Sequence, residues 1–399
     1  MCTSQVRFSS RCTPRILKIF LFTNPRYLLI IDRYFKSIIV NDNQNFCEFI
    51  VEPKNNLTIE EAFERLYVEL VGRHNYAIIL FKDNDNYVLR VSKKEMKPSS
   101  RRRRIIIIML FMATIVSVAY AGHLTTQYFN CAVSSIGLSN LKLSSSLGIL
   151  FFTLAVIAPI ITHELSHYYA AKKFMTPVTP PALIPAPLIS PLGTFGAIIG
   201  MRHLPKSLKD LIRIGLAGPL AGTIASYILF TVMYILSPTV SYSTVAKAVS
   251  EGLLRELRIL PLGSALIMRF IDTLRWGGEG MNLVILNPPA LAALFIILIH
   301  FINLLPLGHL DGGHVFRGLT NTYMHRLTGL ITLATALIIA IFVPNLLWLG
   351  IFVMLAFLIT GLREHPGAAN LESMLPRTEK LKYFTIYVIL LLITAPIII

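Results

Sequence analysis

The segment 147–172 reads LGILFFTLAVIAPIITHELSHYYAAK, and this stretch decides the fold class of the chain. A helix needs about 20 consecutive, mostly apolar residues to cross the hydrocarbon core of a bilayer, and this segment exceeds that length. Near its end stand three ionisable residues, His163, Glu164 and His167. Because ionisable side chains are costly inside a membrane, those found in a spanning segment usually have a function. The segment therefore predicts a membrane protein with a functional site inside the bilayer.

The composition of the whole chain agrees with a membrane protein. Of its 399 residues, 54% are hydrophobic and only 15% are charged, whereas a soluble domain carries about 25% charged residues. The mean hydropathy of +0.64 supports the same class, which excludes an ordinary soluble enzyme and a disordered chain. The net charge is +16. Because the basic residues flank apolar segments, as Arg101–Arg104 do before Ile105–Ile108, we expect them to contact anionic lipid head groups and not nucleic acid.

Apolar runs recur along the chain after residue 104 and predict a polytopic α-helical membrane protein with about seven spans. The segment 176–200 is also apolar, but it contains six prolines and cannot form a straight helix. Non-helical backbone at membrane depth needs protein or a water-filled cavity beside it, so we expect a re-entrant loop here, with an edge strand at 193–199. The predicted spans are 105–122, 147–172, 210–237, 287–305, 326–343, 345–361 and 382–398.

Residues 1–98 differ from the rest of the chain and predict a small soluble α+β domain. Residues 1–25 are basic and without periodicity, as is typical of a disordered segment. A basic linker, 99–104, leads from this domain to the membrane domain, 105–399. Because no motif for chemistry occurs in 1–98, we expect this domain to recruit a partner or substrate. Its pattern predicts a helix over Leu57–Val71 and strands over Tyr27–Ile31, Ser37–Val40, Phe46–Val51, Tyr76–Phe81 and Tyr87–Val91.

The distribution of lysine and arginine predicts the orientation in the membrane. Cytoplasmic loops are enriched in these residues, and basic clusters occur before the first span, after the second and before the third. All of these clusters fall on one side of the membrane if residues 1–104 are cytosolic. His167 lies five residues before Lys172, which is about 7.5 Å along a helix. We therefore expect the functional site to lie in the cytosolic half and to open to the cytosol.

The pattern His163-Glu164-Leu165-Ser166-His167 has the spacing of a metal site. Positions i and i+4 share one face of a helix, so both imidazoles can bind one ion, and the glutamate between them can act on a water held there. The alternative, a polar contact between helices, has to explain three ionisable residues within five positions. A catalytic zinc normally has three protein ligands and one water, so this interpretation requires a third ligand.

The best candidate for the third ligand is Asp311, in the stretch NLLPLGHLDGGH that begins at Asn303. Pro306, Gly308 and the Gly312-Gly313 pair are expected to break the helix in this stretch, so the backbone can turn the carboxylate inward. No other acid lies inside one of the later predicted spans. Asp311 is therefore the predicted partner of the two histidines.

Other ionisable residues near this stretch leave alternatives open. Glu364 lies just past the sixth predicted span, His300 lies within the fourth, and both are rivals of Asp311 as the third ligand. His300 has a second interpretation as a packed or hydrogen-bonded core histidine. His309 and His314 flank Asp311, where they either hydrogen-bond the site or lie in a solvated loop.

The two motifs together carry a resemblance to a known family. H-E-x-x-H on one span, followed on a later span by an N-x-x-P-x-x-x-L-D-G stretch that begins at Asn303, resembles the site-2 protease family of intramembrane zinc metalloproteases, peptidase family M50. The segments Gly193–Ile198 and Gly215–Gly222 resemble the branch shared by archaeal members and the plant chloroplast members. The similarity extends over about 105–361, so it leaves out the N-terminal domain.

The resemblance implies a role for each matching residue. We expect one zinc ion per chain, bound by His163, His167 and Asp311, with Glu164 as the general base that activates water. The residue that matches Asn303 lies near the substrate backbone in the family. The family's edge strand, which pairs with an unwound substrate, matches 193–199, and its predicted substrate-binding residues here are Gly193, Thr194, Phe195 and Gly196.

These features predict an intramembrane zinc endoprotease that cleaves transmembrane segments of membrane proteins, in regulated intramembrane proteolysis or in protein turnover. We expect single-span or other transmembrane proteins as substrates, membrane lipids as neighbours, and the plasma membrane of a prokaryote, an archaeon by the resemblance, as the location. The alternative is a polytopic metal-binding or transport protein, which would need His/Asp pairs on several spans, whereas the sequence indicates one ligand cluster. An inactive homologue would need a broken motif, and here the motif is intact.

Overall fold

A computed structural model of the protein describes residues 26–93, 101–254, 256–277, 282–361 and 364–398. The predicted disordered segment 1–25 lies outside the described residues, as do residues 99 and 100 of the predicted linker. The chain divides into two compact units, one built around a sheet and one built from helices.

The first unit, Met1–Lys97 with Asn370–Glu372, contains an antiparallel four-stranded sheet in the order β1-β2-β4-β3. Strands form at the predicted segments Ser37–Val40, Phe46–Val51 and Tyr87–Val91, and the strand predicted from Tyr76 begins two residues later. The elements are α1 (Arg26–Tyr34), β1 (Phe35–Asp42), β2 (Phe46–Pro53), α2 (Ile59–Tyr67), β3 (Ile78–Asp83) and β4 (Asn86–Ser92).

The strand predicted at Tyr27–Ile31 is wrong, because this segment is part of helix α1. Tyr27, Ile30 and Ile31 are buried, and their spacing of i, i+3 and i+4 is that of one helix face. A five-residue apolar run fits either a strand or a buried helix, and periodicity alone cannot separate them. The buried face of α1 decides the outcome in the folded protein.

Helix α2 is shorter than the predicted Leu57–Val71 because its start is fixed by a capping box. The Thr58 side chain accepts a hydrogen bond from the Glu61 amide, and the Glu61 side chain accepts one from the Thr58 amide. The α-helix ends at Tyr67 and continues as a π-helical turn, Val68–Arg73. The core of the unit includes the fully buried rings of Phe35, Phe49, Phe63 and Tyr67.

The second unit, Pro98–Ala369 with Ser373–Ile399, is helical and carries several short strands. Its helices are α3 (Arg101–Ser135), α4 (Ser145–Lys173), α5 (Leu208–Ile235), α6 (Tyr242–Ser250), α7 (Leu262–Trp276), α8 (Pro288–Leu304), α9 (Asp311–Leu319), α10 (Thr322–Phe342), α11 (Leu347–Ala356) and α12 (Arg377–Thr394). Its strands are β5 (Ala182–Pro185), β6 (Thr194–Ile198), β7 (Thr239–Ser241), β8 (Ile259–Pro261), β9 (Asn282–Val284) and β10 (Pro396–Ile398).

Among the described residues, four helices are long and apolar enough to cross a membrane, namely α3, α4, α5 and α10. The segments Pro288–Asn303 and Pro344–Thr360 are shorter apolar helices. A membrane protein is therefore supported, while the number of seven spans stays a prediction.

The assignment of Arg101–Arg104 to a linker is wrong, because these residues form the first turn of α3. Arginine is a good helix former, and no breaker separates Arg104 from the apolar run.

The proline-rich segment between α4 and α5 folds into the antiparallel hairpin β5–β6. The predicted edge strand is therefore present as the second strand of a two-stranded sheet. Thr194 is buried, and its hydroxyl donates a hydrogen bond to the Ile184 carbonyl at 2.8 Å and accepts one from the Gly196 amide at 3.0 Å. The Ser117 hydroxyl of α3 donates to the Gly193 carbonyl at 2.6 Å, which fixes the start of β6 against that helix.

Helix α8 is the most enclosed apolar helix of the second unit and packs against α4 and α5. Asn287 begins it, since its side chain accepts a hydrogen bond from the Ala290 amide while its own amide group donates to the Met233 carbonyl of α5. Two prolines follow in the first turn, where their missing N–H groups cost nothing. The helix ends at Leu304, and the chain turns through the next six residues to begin α9 at Asp311. This arrangement brings the second motif next to the first.

Candidate metal centre

Three predicted ligands from two distant motifs meet in the second unit. The Nε2 atoms of His163 and His167 lie 3.1 Å apart, and each lies close to one carboxylate oxygen of Asp311, at 3.1 Å and 3.2 Å respectively. Three ligands of one zinc ion with bonds of about 2.05 Å in tetrahedral geometry are separated by about 3.3 Å. The three side chains therefore have the chemistry and the spacing of a zinc site.

The hydrogen bond of His167 prepares its ring for a metal. Its Nδ1 lies 2.7 Å from the Ile214 carbonyl of α5, and a carbonyl can only accept, so Nδ1 carries the proton. The lone pair of Nε2 therefore points toward the other two ligands. Outer hydrogen bonds of this kind fix the tautomer and the orientation of metal-binding histidines. For His163, Nδ1 is buried without a hydrogen-bond partner among the described residues.

Glu164 lies between the two histidines on α4, and its side chain is 9% exposed. Its carboxylate interacts electrostatically with His163, His167 and Asp311. The carboxylate thus stands beside the cluster without occupying a ligand position. A carboxylate in this position can accept a proton from a water at the site.

Glycines on α5 make room for the histidines. A Cβ atom added at Gly218 would lie 2.1 Å from Nε2 of His167. A Cβ at Gly222 would lie 2.9 Å from Cβ of His163 and 2.6 Å from the ring of His300. Atoms in folded proteins do not approach this closely, so α5 can pack against the histidines only because positions 218 and 222 carry no side chain. The role of the GLAGPLAG segment in clearance was not predicted, although its regular spacing of small residues was visible in the sequence.

Asp311 is the first residue of α9, so one part of the sequence interpretation needs correction. Gly312 and Gly313 were predicted to break a helix, but they form the first turn of a new one. A Cβ at Gly312 would lie 1.9 Å from the Leu304 carbonyl, and one at Gly313 would lie 2.4 Å from the Gly308 carbonyl. These glycines are therefore required for close approach of two backbone segments. That approach turns the Asp311 carboxylate toward α4.

The two rivals for the third ligand position lie elsewhere. His300 stacks on His163 with ring centroids 5.0 Å apart and planes within 4°, and neither of its ring nitrogens belongs to the ligand cluster. Glu364 is exposed, and its carboxylate lies 3.7 Å from the Arg326 guanidinium. His300 therefore supports one face of a ligand ring, and Glu364 is a surface residue.

The predicted substrate-binding residues differ in their availability. Phe195 is 54% exposed, and Gly196, with a positive φ, has open space where a side chain would be. Thr194 instead uses its hydroxyl inside the hairpin, and Gly193 is enclosed by the backbone of Ser117. Asn303, in the last turn of α8, is half-buried and its side chain has no hydrogen-bond partner among the described residues. Thr194 and Gly193 thus shape the strand, whereas the other three residues remain accessible to a ligand.

Comparison with known proteins gives the family that the two motifs resemble. Residues 151–347 match the model of peptidase family M50. The chain is 33% identical over 165 residues to the probable zinc metalloprotease EGY2, chloroplastic, of Oryza sativa subsp. indica, which covers 41% of this chain and 28% of that protein. It is 30% identical over 163 residues to the probable zinc metalloprotease EGY1, chloroplastic, of Oryza sativa subsp. japonica, covering 41% and 27%.

The family match covers the region that holds the three ligands. The aligned part spans less than a third of the length of these relatives, and no solved structure matches the chain. The family match nevertheless includes both motifs, from the H-E-x-x-H helix to the stretch around Asp311. The ligand geometry and the family match agree, and residues 151–347 of the chain match peptidase family M50.

Proposed function

We propose that the protein is an intramembrane zinc endoprotease that cleaves transmembrane segments of other membrane proteins. The observation that carries this proposal is the meeting of His163, His167 and Asp311, with the Asp311 oxygens 3.1–3.2 Å from the two ring nitrogens. The two histidines and Glu164 lie on α4, which is long enough to span a membrane. The alternative use of such a cluster, metal binding or transport without proteolysis, leaves Glu164 without a role. The family match and the names of the relatives support the proteolytic interpretation.

The ligands would hold one zinc ion, which when bound supplies a Lewis acid and lowers the pKa of water toward about 7. His163 and His167 present ring nitrogens, and Asp311 presents its two carboxylate oxygens. The tautomer of His167 is held by the Ile214 carbonyl, so the ring cannot turn its N–H toward the site. The imidazole of His300 covers one face of His163 and keeps bulk water from that side.

Glu164 would act as the general base and then as the general acid. Its carboxylate takes a proton from the attacking water, and the oxygen of that water forms a bond to the scissile carbonyl carbon. When the peptide C–N bond breaks, the same carboxyl group gives the proton to the leaving amine. General acid–base catalysis of this kind contributes about 10²–10⁴-fold to a rate. The mostly buried position of Glu164 keeps this proton from exchanging freely with solvent.

A transmembrane substrate has to unwind, because a helical peptide bond is shielded by its own hydrogen bonds. Strand β6 pairs with β5 along one edge, and its other edge can accept an extended substrate by β-augmentation. Phe195 and Ile198 are exposed and offer apolar contact, while Gly196 leaves room for close approach. We propose that the substrate backbone lies along this edge and that the Asn303 amide hydrogen-bonds to it.

The proposed location is a membrane, with residues 1–104 and the opening of the site in the cytosol of a prokaryotic cell. Arg101–Arg104 begin α3, and Lys172 and Lys173 end α4. In two consecutive spans these ends lie on the same side, as the preference of basic residues for the cytosolic side requires. The relatives are named as chloroplast proteins, and that location is theirs. Protease protection of the N-terminal residues in sealed vesicles would test the orientation.

The test of the activity compares Glu164→Gln with the wild-type protein in detergent. The variant keeps all three ligands, so we expect unchanged zinc content and a loss of at least about 100-fold in cleavage of a single-span substrate. Glu251→Gln is the matched control, because Glu251 is an exposed glutamate whose carboxylate lies 3.9 Å from Lys247. Residual activity within about tenfold of wild type would contradict the role of Glu164. Zinc binding without any cleavage by the wild-type protein would favour the transport alternative.

A further inference from the structure

A second group of histidines stands beside the first site and shares no residue with it. His309, His314 and His365 each offer a ring nitrogen, and these three nitrogens lie within 4.8 Å of one another. The ring centroid of His365 lies 4.8 Å from that of His309 and 4.8 Å from that of His314. The sequence indicated one ligand cluster, because His365 is distant from the other two along the chain. The described structure contains two.

A fourth histidine faces the same group. His325, on α10, is 5% exposed, and its ring centroid lies 5.4 Å from that of His365. Its Nε2 is buried without a hydrogen-bond partner among the described residues. A buried nitrogen without a partner pays the full cost of leaving water, so its retention needs an explanation. Four imidazoles from the 305–310 turn, α9, α10 and the segment after α11 therefore converge, and the ligand group that the described residues form here contains histidines alone.

We propose that His309, His314 and His365 form a second, non-catalytic site for a divalent transition metal ion, with His325 as its fourth ligand. Imidazole nitrogen suits Zn²⁺, Cu²⁺ and Ni²⁺, and a group of neutral imidazoles binds such ions far better than it binds Mg²⁺ or Ca²⁺. His365 is buried, whereas His309 is exposed, which gives the ion a path from solvent. This inference does not depend on proteolytic activity.

Two hydrogen bonds determine which ring nitrogens of the cluster carry protons. The Gly367 amide donates to Nδ1 of His365 at 3.0 Å, so the ring proton of His365 is on Nε2. That proton fills the 2.6 Å contact with Nδ1 of His314. When an ion binds Nε2 of His365, that proton moves to Nδ1, which gives up its hydrogen bond from the Gly367 amide. Nε2 of His365 and Nδ1 of His314 then separate to about 3.3 Å, the distance expected for ligands of one zinc. Because this rearrangement opposes binding, the second ion binds more weakly than the first.

The site would connect α9 to three other segments of the second unit, namely the 305–310 turn, α10 and the segment after α11. His314 follows Asp311 by one turn of α9, so an ion on His314 restrains the helix that carries a ligand of the first site. Arg317, on the same helix, donates to the His365 carbonyl at 3.3 Å and already holds the segment near α9. The ion would reinforce this connection through side chains.

The experiment measures metal stoichiometry in the full-length protein in detergent. The protein is stripped with a chelator, titrated with Zn²⁺ alone by calorimetry, and analysed for bound metal after removal of free ion. The variants are His309→Ala and His365→Ala for the second site and His163→Ala for the first. His74→Ala is the matched control, since His74 lies in the other unit. His309→Ala alters an exposed side chain, so it tests the proposal even if His365→Ala fails to fold.

We expect two zinc ions per wild-type chain and per His74→Ala chain, and one per chain in both second-site variants. His163→Ala should keep the weaker ion, and its combination with His309→Ala should bind none. One ion per wild-type chain, or two per chain in His309→Ala, would overturn the proposal. Equal loss of zinc in His74→Ala would show adventitious binding to histidine and would overturn it as well.

Discussion

The substitution Gly218→Ala tests whether the packing of α5 controls the metal centre. The added Cβ would lie 2.1 Å from Nε2 of His167, whereas ordinary contacts begin at 3.4 Å. Either the imidazole or α5 must therefore move by about 1.3 Å, which is large against the ±0.2 Å tolerance of metal–ligand distances. Movement of α5 would also withdraw the Ile214 carbonyl from Nδ1 of His167.

The expected result is loss of zinc without loss of the fold. Overpacking of a core costs about 1–3 kcal/mol, which most folded domains tolerate. Disturbing an outer hydrogen bond alone lowers metal affinity about 10–100-fold, so displacement of the ligand itself should cost at least the upper value. Zinc content is measured by metal analysis of the purified protein, and the fold by size-exclusion chromatography and thermal unfolding.

The matched control is Gly329→Ala, on α10. A Cβ at Gly329 would meet its nearest atom, the Pro306 carbonyl oxygen, at 3.6 Å, so the same methyl group enters another long apolar helix without a clash. This variant should keep its zinc. If Gly218→Ala also keeps one zinc per chain at wild-type affinity, the packing argument for the glycines of α5 is wrong.

Three further predictions concern other parts of the molecule. Asp311→Ala should lower zinc occupancy while His300→Ala keeps it, and metal analysis with the reverse outcome would make His300 the third ligand. Thr194→Val removes the hydrogen bonds of that hydroxyl to the Ile184 carbonyl and to the backbone of Gly196 at nearly constant shape, at a cost of about 1–3 kcal/mol in the hairpin. Cleavage of a single-span substrate should fall while zinc content stays, and unchanged cleavage would exclude β6 from substrate binding. Hydrogen bonds, the largest from the Asn41 amide, hold the pKa of Glu48 below its ordinary value. This contribution to stability is present above the unfolded-state pKa and is lost as the pH falls through the folded-state pKa. Hydrogen exchange of β2 should show that loss in the wild type and not in Glu48→Gln.

The convergence of His163, His167 and Asp311 was predictable because each motif has a local geometric meaning. His163 and His167 share a helix face by their spacing. Because the helix is apolar on both sides of them, the presence of these ionisable residues is hard to explain by packing alone. Asp311 was identified as the best candidate from the residues, and the resemblance favoured it over its rivals. The sequence pattern could not predict how closely α5 and α8 pack around these residues, because that packing depends on how the two helices cross.

The errors have physical causes of the same kind. The segment from Tyr27 to Ile31 is too short for its periodicity to separate strand from helix, and tertiary burial decides. The glycines after Asp311 were interpreted through their helix-breaking tendency, but close approach of two backbones requires glycine even inside a first turn. His365 joins His314 only through the fold, so no spacing in the sequence indicates the second histidine cluster.

The start of α9 at Asp311 also affects how the protein matures. A helix of nine residues is too short to be stable alone, since isolated helices of fewer than about 12–15 residues are marginal in water. Asp311 therefore reaches the two histidines, which precede it by more than 140 residues, only after α9 has docked against α5. The nascent chain offers two ligands and lacks the third until most of the second unit has been synthesised. We therefore expect metal loading to be a late step of biogenesis that follows the docking of α9.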